Sequence, residues 1–500
     1  MISLAVEKSC TTECPLGISP QGYVNLTRAG KEWEAYKHIW DKNPLPSICG
    51  RICHHPCEQA CKRGILVDEP IAIRGIKRYL TDTINYIPER YPRIYEETVA
   101  VIGAGPAGLA AGHALSLAGY PVTLFDMEAA AGGLMLRGIP QFRLPREIVA
   151  RETGKLEQAG LEFRMGDRIG RARALALADE YDAVIVAAGT PHSKELPIPG
   201  SRKEGIVTAL QFMERVNAGQ DIWRHPGQEF ERDGEVVVIG GGNVALDAAR
   251  TAVRLGAKKV TVLCPESGGD VPCYDWERRE AEDEGVELLE GWAPKQYTGV
   301  HNQLKGVEFC KVTQFSKDGD GRISFETDAT RTRVVPADMV ILAVGQSADP
   351  MWEALEGRKN VFFAGDVRSS ACSVIDAMAS GQKAARQVDV LLRDREEKDP
   401  LELRKLYEAP LMQKIYPAVR LKINRPLMPV ADAAERTGNF EEVEREYAPE
   451  VIETEVLRCL QCGYQAVDPD KCIGCGVCKT VCPKGNAITM VPVQNGGDAT

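Results

Sequence analysis

The stretch TVAVIGAGPAGLAAGHALSLAGYPVTLFD, residues 98–126, decides the architecture of this 500-residue chain. Its apolar run VAVI predicts a short buried strand that feeds directly into Gly103-x-Gly105-x-x-Gly108. An Ala/Leu-rich helix follows, with Pro106 and Ala107 in its first turn, and a second β-rich run from Val122 ends at Asp126. Glycines spaced this way also occur in turns of unrelated α/β units. Here a strand precedes them, a helix follows, and an acid comes about 20 residues later, which completes the dinucleotide fingerprint. Gly103 allows the tight turn, Gly105 lets the backbone approach a pyrophosphate, and Gly108 lets helix and strand pack closely. Asp126 is placed to hydrogen-bond a ribose hydroxyl.

The same grammar returns at 236–266, VVVIGGGNVALDAARTAVRLGAKKVTVLCPE. Gly240-x-Gly242-x-x-Ala245 opens the helix through Asn243 and Val244, and KKVTVL reads as the second strand. Each fingerprint seats one pyrophosphate at one helix N-terminus, so two of them predict two dinucleotides. A nicotinamide exchanges hydride, and a flavin exchanges hydride for single electrons. The fold class expected is α/β, with two Rossmann-like domains.

Outside these units, length alone suggests about three domains. Formal charge is −10 with no long Lys/Arg run, which argues against nucleic acid as a partner. No apolar stretch approaches the roughly 18 residues of a membrane span. The opening MISLAVEKSCTTECP lacks the charged and apolar regions of a secretory signal, so a cytoplasmic location is expected. Sixteen cysteines in a reducing compartment are not expected to form structural disulfides. Six fall within 10–61 and six within 459–482, while Cys264, Cys273, Cys310 and Cys372 are scattered through the middle. Ligand chemistry suits the two ends, and ordinary core packing suits the middle four.

Cys472-x-x-Cys475-x-x-Cys478-x-x-x-Cys482-Pro483 is the bacterial ferredoxin run. Zinc, the competing metal, usually takes two separated Cys-x-x-Cys knuckles instead. Cys49, Cys53, Cys57 and Cys61 recur every four residues, a spacing shared by a buried helical stripe. Pro56, Gly50 and the pair His54–His55 favour a loop wrapping a cluster. Each [4Fe–4S] cluster takes four ligands. Six cysteines at one end do not divide by four, but the twelve of both ends fill three clusters.

Several segments resemble the small (beta) subunit of glutamate synthase and its relatives, which include the flavin subunit of NADH-dependent ferredoxin:NADP oxidoreductase and the N-terminal half of dihydropyrimidine dehydrogenase. The likeness is carried by CGRICHHPCEQAC (49–61), VDEPIAIRGIKRY (67–79), GGLMLRGIPQFRLPRE (132–147) and VFFAGDVRSSACSVIDAMASGQKAA (361–385). It implies FAD at the first fingerprint and NAD(P)H at the second. The implied flavin site adds Gly133, Leu134, Ile139, Arg143, Gly189, Gly365, Asp366, Ser373 and Val374, and the implied nicotinamide site adds Gly345. The implied layout is a helical iron–sulfur domain over 1–95, an FAD domain over 96–200 and 336–390 with the NAD(H) domain of 201–335 inserted, a connector over 391–450, and a ferredoxin-like α+β segment over 451–500. NADPH-using relatives carry arginines where this chain has CPESGGD (264–270). Glu266 suits the free 2′-hydroxyl of NADH and repels a 2′-phosphate. The alternative is that Glu266 faces water while Arg250 or Lys259 reaches the phosphate.

Cys10 and Cys14 resemble the last two cysteines of that family's opening run, whose RCLxC pair normally comes a few residues earlier. RCLQC (458–462) looks like the missing pair. The expected sets are Cys14, Cys49, Cys53 and Cys57 for one cluster; Cys10, Cys61, Cys459 and Cys462 for a second; and Cys472, Cys475, Cys478 and Cys482 for the third. The cysteine before proline ligates the other cluster in two-cluster ferredoxins, which leaves an exchange of Cys482 with Cys459 or Cys462 open. The family also uses a Glu or Gln ligand near the position of Lys77, and Cys49 would replace it.

The expected function is an electron-transfer flavoprotein running from NADH through FAD to several [4Fe–4S] clusters, with a partner redox subunit or ferredoxin completing the reaction. No acid–base residue is called for, because the cofactors carry the chemistry. A flavin disulfide reductase needs a redox cysteine pair in the flavin domain, and no cysteine lies between Cys61 and Cys264. The other readings are the glutamate synthase small subunit itself and a non-catalytic iron–sulfur scaffold. Residues 391–450 are charged, and a solvated helical strap is expected there.

Overall fold

Near-continuous apolar strands such as VAVI and AVIV are those of parallel sheets covered on both faces, and the computed structural model shows two such sheets. It describes residues 9–225, 228–229, 234–318, 323–368, 373–393 and 423–460. The first sheet runs Val361–Phe363, Ala183–Val186, Val99–Ile102, Val122–Asp126, Glu162–Met165, with every pairing parallel. Val99 lies opposite Val122 on one side and Ala183 on the other, and both central strands are buried at all four positions. The second sheet runs Glu287–Glu290, Lys259–Cys264, Glu235–Ile239, Met339–Leu342, Ile206–Thr208, again parallel. Since Val361–Phe363 returns to the first sheet after the second is complete, the second Rossmann-like unit is inserted into the first.

A three-stranded antiparallel sheet, Trp292–Thr298, Gly306–Lys317 and Ile323–Pro336, extends the inserted unit. Nothing in the two fingerprints announces it. Tyr297, Val307, Phe309 and Val335 pack it onto Ile239 and Leu342, while most of the last strand faces solvent.

The N-terminal helices are Pro20–Arg28, Glu32–Trp40, Pro46–Ile52 and Ile73–Thr83, with short turns Pro56–Gln59 and Lys62–Leu66 between the last two. Ser19 caps the first by accepting a hydrogen bond from the Gly22 N–H. Pro46–Ile52 and Ile73–Thr83 touch backbone to backbone. A Cβ on Gly50 would lie 2.9 Å from the Cα of Arg78.

The connector differs from the expected solvated helical strap. Residues 394–422 lie outside the described residues, and from 423 the chain runs extended, with helical turns only at Ala433–Arg436 and Pro449–Leu457. Its charges are partners for buried arginines of other domains. Glu444 takes the Arg74 guanidinium at 2.7 Å, Glu442 takes Arg78 and Arg51 at 2.8 Å, and Arg425 reaches Glu58 at 2.5 Å. Further along, Arg436 reaches Glu284 of the nicotinamide domain at 2.9 Å, and the Val443 N–H donates to the Phe142 carbonyl. Charge runs look solvated in a sequence because their partners lie hundreds of residues away. Here they brace three parts of the molecule.

Candidate functional site

At the first fingerprint the chain leaves Val99–Ile102 through Gly103 at φ +108°, where a Cβ would stand 2.3 Å from the Ala187 carbonyl. That position excludes any other residue. Gly108 permits the close packing expected of it, since a Cβ there would lie 1.8 Å from the Gly103 carbonyl oxygen. Gly105 caps helix Pro106–Ala118 with extended backbone, and beyond it stands only Gly133, 3.9 Å away. This is an open cradle at a helix N-terminus, of the kind a pyrophosphate fills. Asp126 accepts from the Ala104 N–H at 2.6 Å and the Glu128 N–H at 2.9 Å, so its carboxylate also fixes the turn.

Gly133, Leu134 and Ile139 belong to the loop that faces this cradle, tied by the Gly132 N–H to the Ala104 carbonyl. Arg146, which sequence reasoning passed over, holds the loop's shape by donating to the carbonyls of Met135 and Ile139 at 2.8 and 2.7 Å. Burial lowers its guanidinium to about 10. The late segment closes the other side. Gly365 and Gly381 both lie against Ala107, and Ser373 begins helix Val374–Arg393 by accepting from the Asp376 N–H. Asp366 sits in the 3-10 turn Gly365–Val367, and Gly189 stands in open space at φ +66°.

Arg143, expected at the flavin, is committed to carboxylates of the second dinucleotide unit. Its guanidinium is engaged by Asp247 at 2.9 Å and Glu277 at 2.5 Å, both on helices of the nicotinamide domain. It is an interdomain tie.

At the second fingerprint Gly242 caps helix Asn243–Arg254 with nothing within 4 Å of where a Cβ would point. Asn243 accepts the Tyr274 N–H at 2.9 Å, Ala245 is buried, and Val244 is exposed. Gly345 follows the last strand of this sheet, and its carbonyl accepts from Lys194. Glu266 is the informative residue. It is only 8% exposed, its Oε2 has no hydrogen-bond partner, and that oxygen lies 3.3 Å from the Cβ position of Gly241. An orphaned buried carboxylate oxygen is costly unless a ligand donor meets it. The cations that sequence reasoning offered for a 2′-phosphate are engaged elsewhere. Arg250 is buried between Glu280 and Glu284, and Lys259 pairs with Glu287, all at 2.8 Å. Arg278 is held by Glu282 at 3.0 Å and by Glu290 at 2.5 Å.

In the N-terminal domain Cys49 lies within helix Pro46–Ile52 and Cys53 ends it. Pro56 starts a new turn instead of breaking a continuous helix, and Cys57 lies in that turn while Cys61 precedes the next. His55 between them is left-handed, φ 44°, and its N–H donates to the Cys53 Sγ at 3.4 Å. Burial raises the thiols of Cys49, to about 12, and of Cys53 and Cys57, while the Lys77 ammonium pulls all three down and Cys14 pushes them up. Cys49, Cys53 and Cys57 are thus buried along one cysteine segment of this domain, with Cys14 half-buried in the same core. Among the described residues no three His, Cys, Asp or Glu side chains are close enough to hold a single metal ion. A cubane spreads its four thiolates over separate irons, and this donor set suits it.

Cys10 is half-buried and near Tyr23, which Cys57 and Cys14 also approach. Cys459 is buried against the same domain, because the Arg63 guanidinium donates to the Arg458 carbonyl at 2.8 Å. The structure thus brings one member of RCLQC beside the N-terminal cysteines, 390-odd residues away in the chain. Cys462, Cys472, Cys475, Cys478 and Cys482 lie outside the described residues.

Between the cysteine loop and the nicotinamide domain four rings stack. His54 lies on Tyr274 at 5.5 Å, Tyr274 on Trp276 at 4.6 Å, and His55 tilts against Trp276 at 4.6 Å. Nothing in the sequence pairs these residues, although the two histidines flanked by cysteines were a visible oddity.

Two dinucleotide folds beside a cysteine-lined helical domain define a flavin-dependent, nicotinamide-linked iron–sulfur oxidoreductase. The chain belongs to the pyridine nucleotide-disulphide oxidoreductase family, matched over residues 97–387, and within it is like the glutamate synthase small subunit. Residues 4–87 match the dihydropyrimidine dehydrogenase domain II 4Fe-4S family and 466–486 a 4Fe-4S binding domain. Similar proteins include the NADP(+)-dependent formate dehydrogenase subunit beta of Moorella thermoacetica, 32% identical over 91% of this chain and 71% of its own length. The NADPH-Fe(3+) oxidoreductase subunit beta of Geobacter sulfurreducens is 29% identical over 91% and 75%. The glutamate synthase [NADPH] small chain of Azospirillum brasilense is 31% identical over 76% and 85%. Among solved structures, Mycobacterium tuberculosis FprA in complex with NADPH aligns with TM-score 0.52 at 16% identity, covering 73% of this chain and 100% of its own, a likeness of fold. Together the three matched segments support FAD, a nicotinamide nucleotide and iron–sulfur clusters as cofactors. Among the described residues no helix is long and apolar enough to cross a membrane.

Proposed function

We propose that this chain is the NADH-linked subunit of a larger redox complex, passing electrons through FAD and three [4Fe–4S] clusters to a partner subunit or ferredoxin. The observation that carries the NADH preference is the buried, unpaired Oε2 of Glu266 beside Gly241. It would accept a ribose 2′-hydroxyl and repel a 2′-phosphate, while Arg250, Lys259 and Arg278 are bound to glutamates. The relatives named above are NADP(H) proteins, so this reading separates the chain from them. When bound, the flavin exchanges the hydride of a nicotinamide for single electrons. The residues of this chain hold it. Gly105 and Gly133 form the pyrophosphate cradle, Arg146 fixes the facing loop, and Gly365, Ser373 and Val374 close the far side.

The cluster sets are those expected from the sequence, with Cys14, Cys49, Cys53 and Cys57 around one cluster and Cys459 joining Cys10, Cys61 and Cys462 at a second. The domain limits at 95, 200, 335, 390 and 450 and a cytoplasmic placement form part of the same proposal. The naming of two relatives as beta subunits supports a partner chain. The test is anaerobic viologen reduction by the purified chain with NADH and NADPH in parallel. A kcat/KM for NADH at least tenfold above that for NADPH is expected; the reverse order would reject the preference. Failure to support glutamine-dependent glutamate formation with a large subunit would separate the chain from a glutamate synthase small subunit.

A further inference from the structure

The nicotinamide unit is joined to the flavin unit by two crossings of the chain, which pair as a short ribbon, His192–Ser193 with Gln346–Ser347. Gly189 and Gly345 flank the ribbon at φ +66° and +102°. A two-stranded ribbon of this length has little stiffness of its own, so the orientation of the domain has to come from side-chain contacts. Several of these converge on helix Asp275–Asp283. Glu277 holds Arg143 of the flavin domain at 2.5 Å, and Glu280 holds Arg250 of its own domain at 2.8 Å. At its N-terminal end the same helix meets the cysteine loop through rings. The contacts run His54, Tyr274, Trp276, His55. The first two pairs are parallel to within 5°, with centroids 5.5 and 4.6 Å apart, and the last is tilted by 40° at 4.6 Å. Near-parallel rings at such separations are offset stacks, which aromatic quadrupoles favour. His55 stands at φ 44°, a conformation unfavourable for a residue with a side chain. With it, two adjacent histidines grip two different rings.

The gripped segment belongs to the nucleotide site. Residues 265–274 follow strand Lys259–Cys264 and carry Glu266 near their start. Their end is fastened by the Tyr274 N–H to Asn243 Oδ1 at 2.9 Å, on the first residue of the helix whose N-terminus forms the second cradle. We propose that Tyr274 and Trp276 are positioning residues for hydride transfer, their rings held by His54 and His55 so that the nicotinamide domain keeps a fixed place over the flavin domain. The inference rests on the proposed nicotinamide-to-flavin reaction, whichever nucleotide is preferred. Hydride transfer needs reacting atoms about 3–3.5 Å apart, and a displacement of about 1 Å can cost about a hundredfold in rate. Affinity for the nucleotide comes from the cradle and Glu266, which lie within one domain and move together when that domain shifts. Losing the rings therefore slows transfer while binding holds.

The experiment is anaerobic stopped-flow reduction of the flavin in the full, cofactor-replete chain, comparing wild type with Trp276→Ala, Trp276→Leu and Trp276→Phe. The nucleotide is whichever of NADH and NADPH reduces the wild type faster. In the alanine and leucine variants the limiting rate should fall about tenfold or more, while the nucleotide Kd stays within about twofold and flavin and iron contents are unchanged. Trp276→Phe, which keeps a stacking face, should restore the rate to within about threefold of wild type. A leucine variant as fast as wild type overturns the proposal, because the rings would then be apolar filling alone. Loss of flavin from both the alanine and leucine variants also overturns it, since the rings would serve folding. A weakened Kd at an unchanged limiting rate does so too, by placing the rings in binding. Wild-type flavin that neither nucleotide reduces rejects the proposed function itself, and this inference with it.

Discussion

Glu266 shows how much one side chain decides. A hydrogen bond to a charged acceptor contributes about 1.5–3 kcal/mol, which corresponds to roughly a tenfold to hundredfold change in affinity. Glu266→Ala should therefore lower kcat/KM for NADH by about that range and narrow the gap to NADPH, measured with the same viologen assay. An unchanged NADH value would show that the carboxylate does not meet the ribose. His113 makes a second residue-scale case. It is buried on helix Pro106–Ala118, where desolvation lowers its pKa to about 3. The Trp40 indole N–H donates to the Tyr91 oxygen at 2.8 Å, leaving the Tyr91 hydroxyl to donate to His113 Nε2 at 2.9 Å. That chain requires a neutral imidazole. Because the folded value lies below the unfolded value of about 6.5, the unfolded state binds more protons between the two. The contribution is complete above about pH 6.5 and is lost as pH falls towards 3, at up to about 1.4 kcal/mol per unit. His113→Gln should flatten the fall in Tm between pH 7 and 5; an identical slope would exclude His113 as its source.

Elements whose signal is contiguous were legible in the sequence. Both glycine fingerprints spell strand, turn and helix within 30 residues, and the returning strand at Val361–Phe363 was readable from its flavin-motif neighbour AGD. The cysteine segment was half legible. Pro56 marked a break, but its role is to start the turn that presents Cys57. The antiparallel sheet was not legible, since its last strand is exposed along most of its length and carries little apolar alternation. Gly381 tests how the late helix seats the flavin elements. In a helix interior Gly→Ala ordinarily stabilises by about 1 kcal/mol. Here the new Cβ would stand 2.0 Å from the Ala107 carbonyl oxygen, a backbone atom of the flavin helix that cannot rotate away. Steric overlap reverses the sign. Gly381→Ala should destabilise by about 1–3 kcal/mol and lower FAD occupancy, read from Tm and from the flavin-to-protein absorbance ratio. A raised Tm with full flavin would contradict the packing.

At the scale of the molecule the parts are joined by arginines whose partners no local reading could supply: Arg74 with Glu444, Arg63 with the Arg458 carbonyl, Arg143 with Asp247 and Glu277. A charge run carries no mark of which distant carboxylate will desolvate it, so the brace read as surface. Arg458 is where that brace meets the cysteines. Its guanidinium is fully buried, held by Glu455 at 2.9 Å, Asp68 at 3.1 Å and the Glu69 carbonyl at 2.8 Å. Breaking a buried pair from one side costs about 3–5 kcal/mol. The lower end applies, because Asp68 keeps Arg63 and Glu455 keeps the Ala72 N–H. Arg458→Met should therefore leave the two dinucleotide folds intact while releasing the segment that seats Cys459. Flavin content should hold, and iron should fall by about four atoms per chain, the same deficit that Cys459→Ser gives alone. If Arg458→Met lowers Tm but retains all its iron, the docked segment braces the fold without completing a cluster, and Cys459 is a packed thiol instead of a ligand.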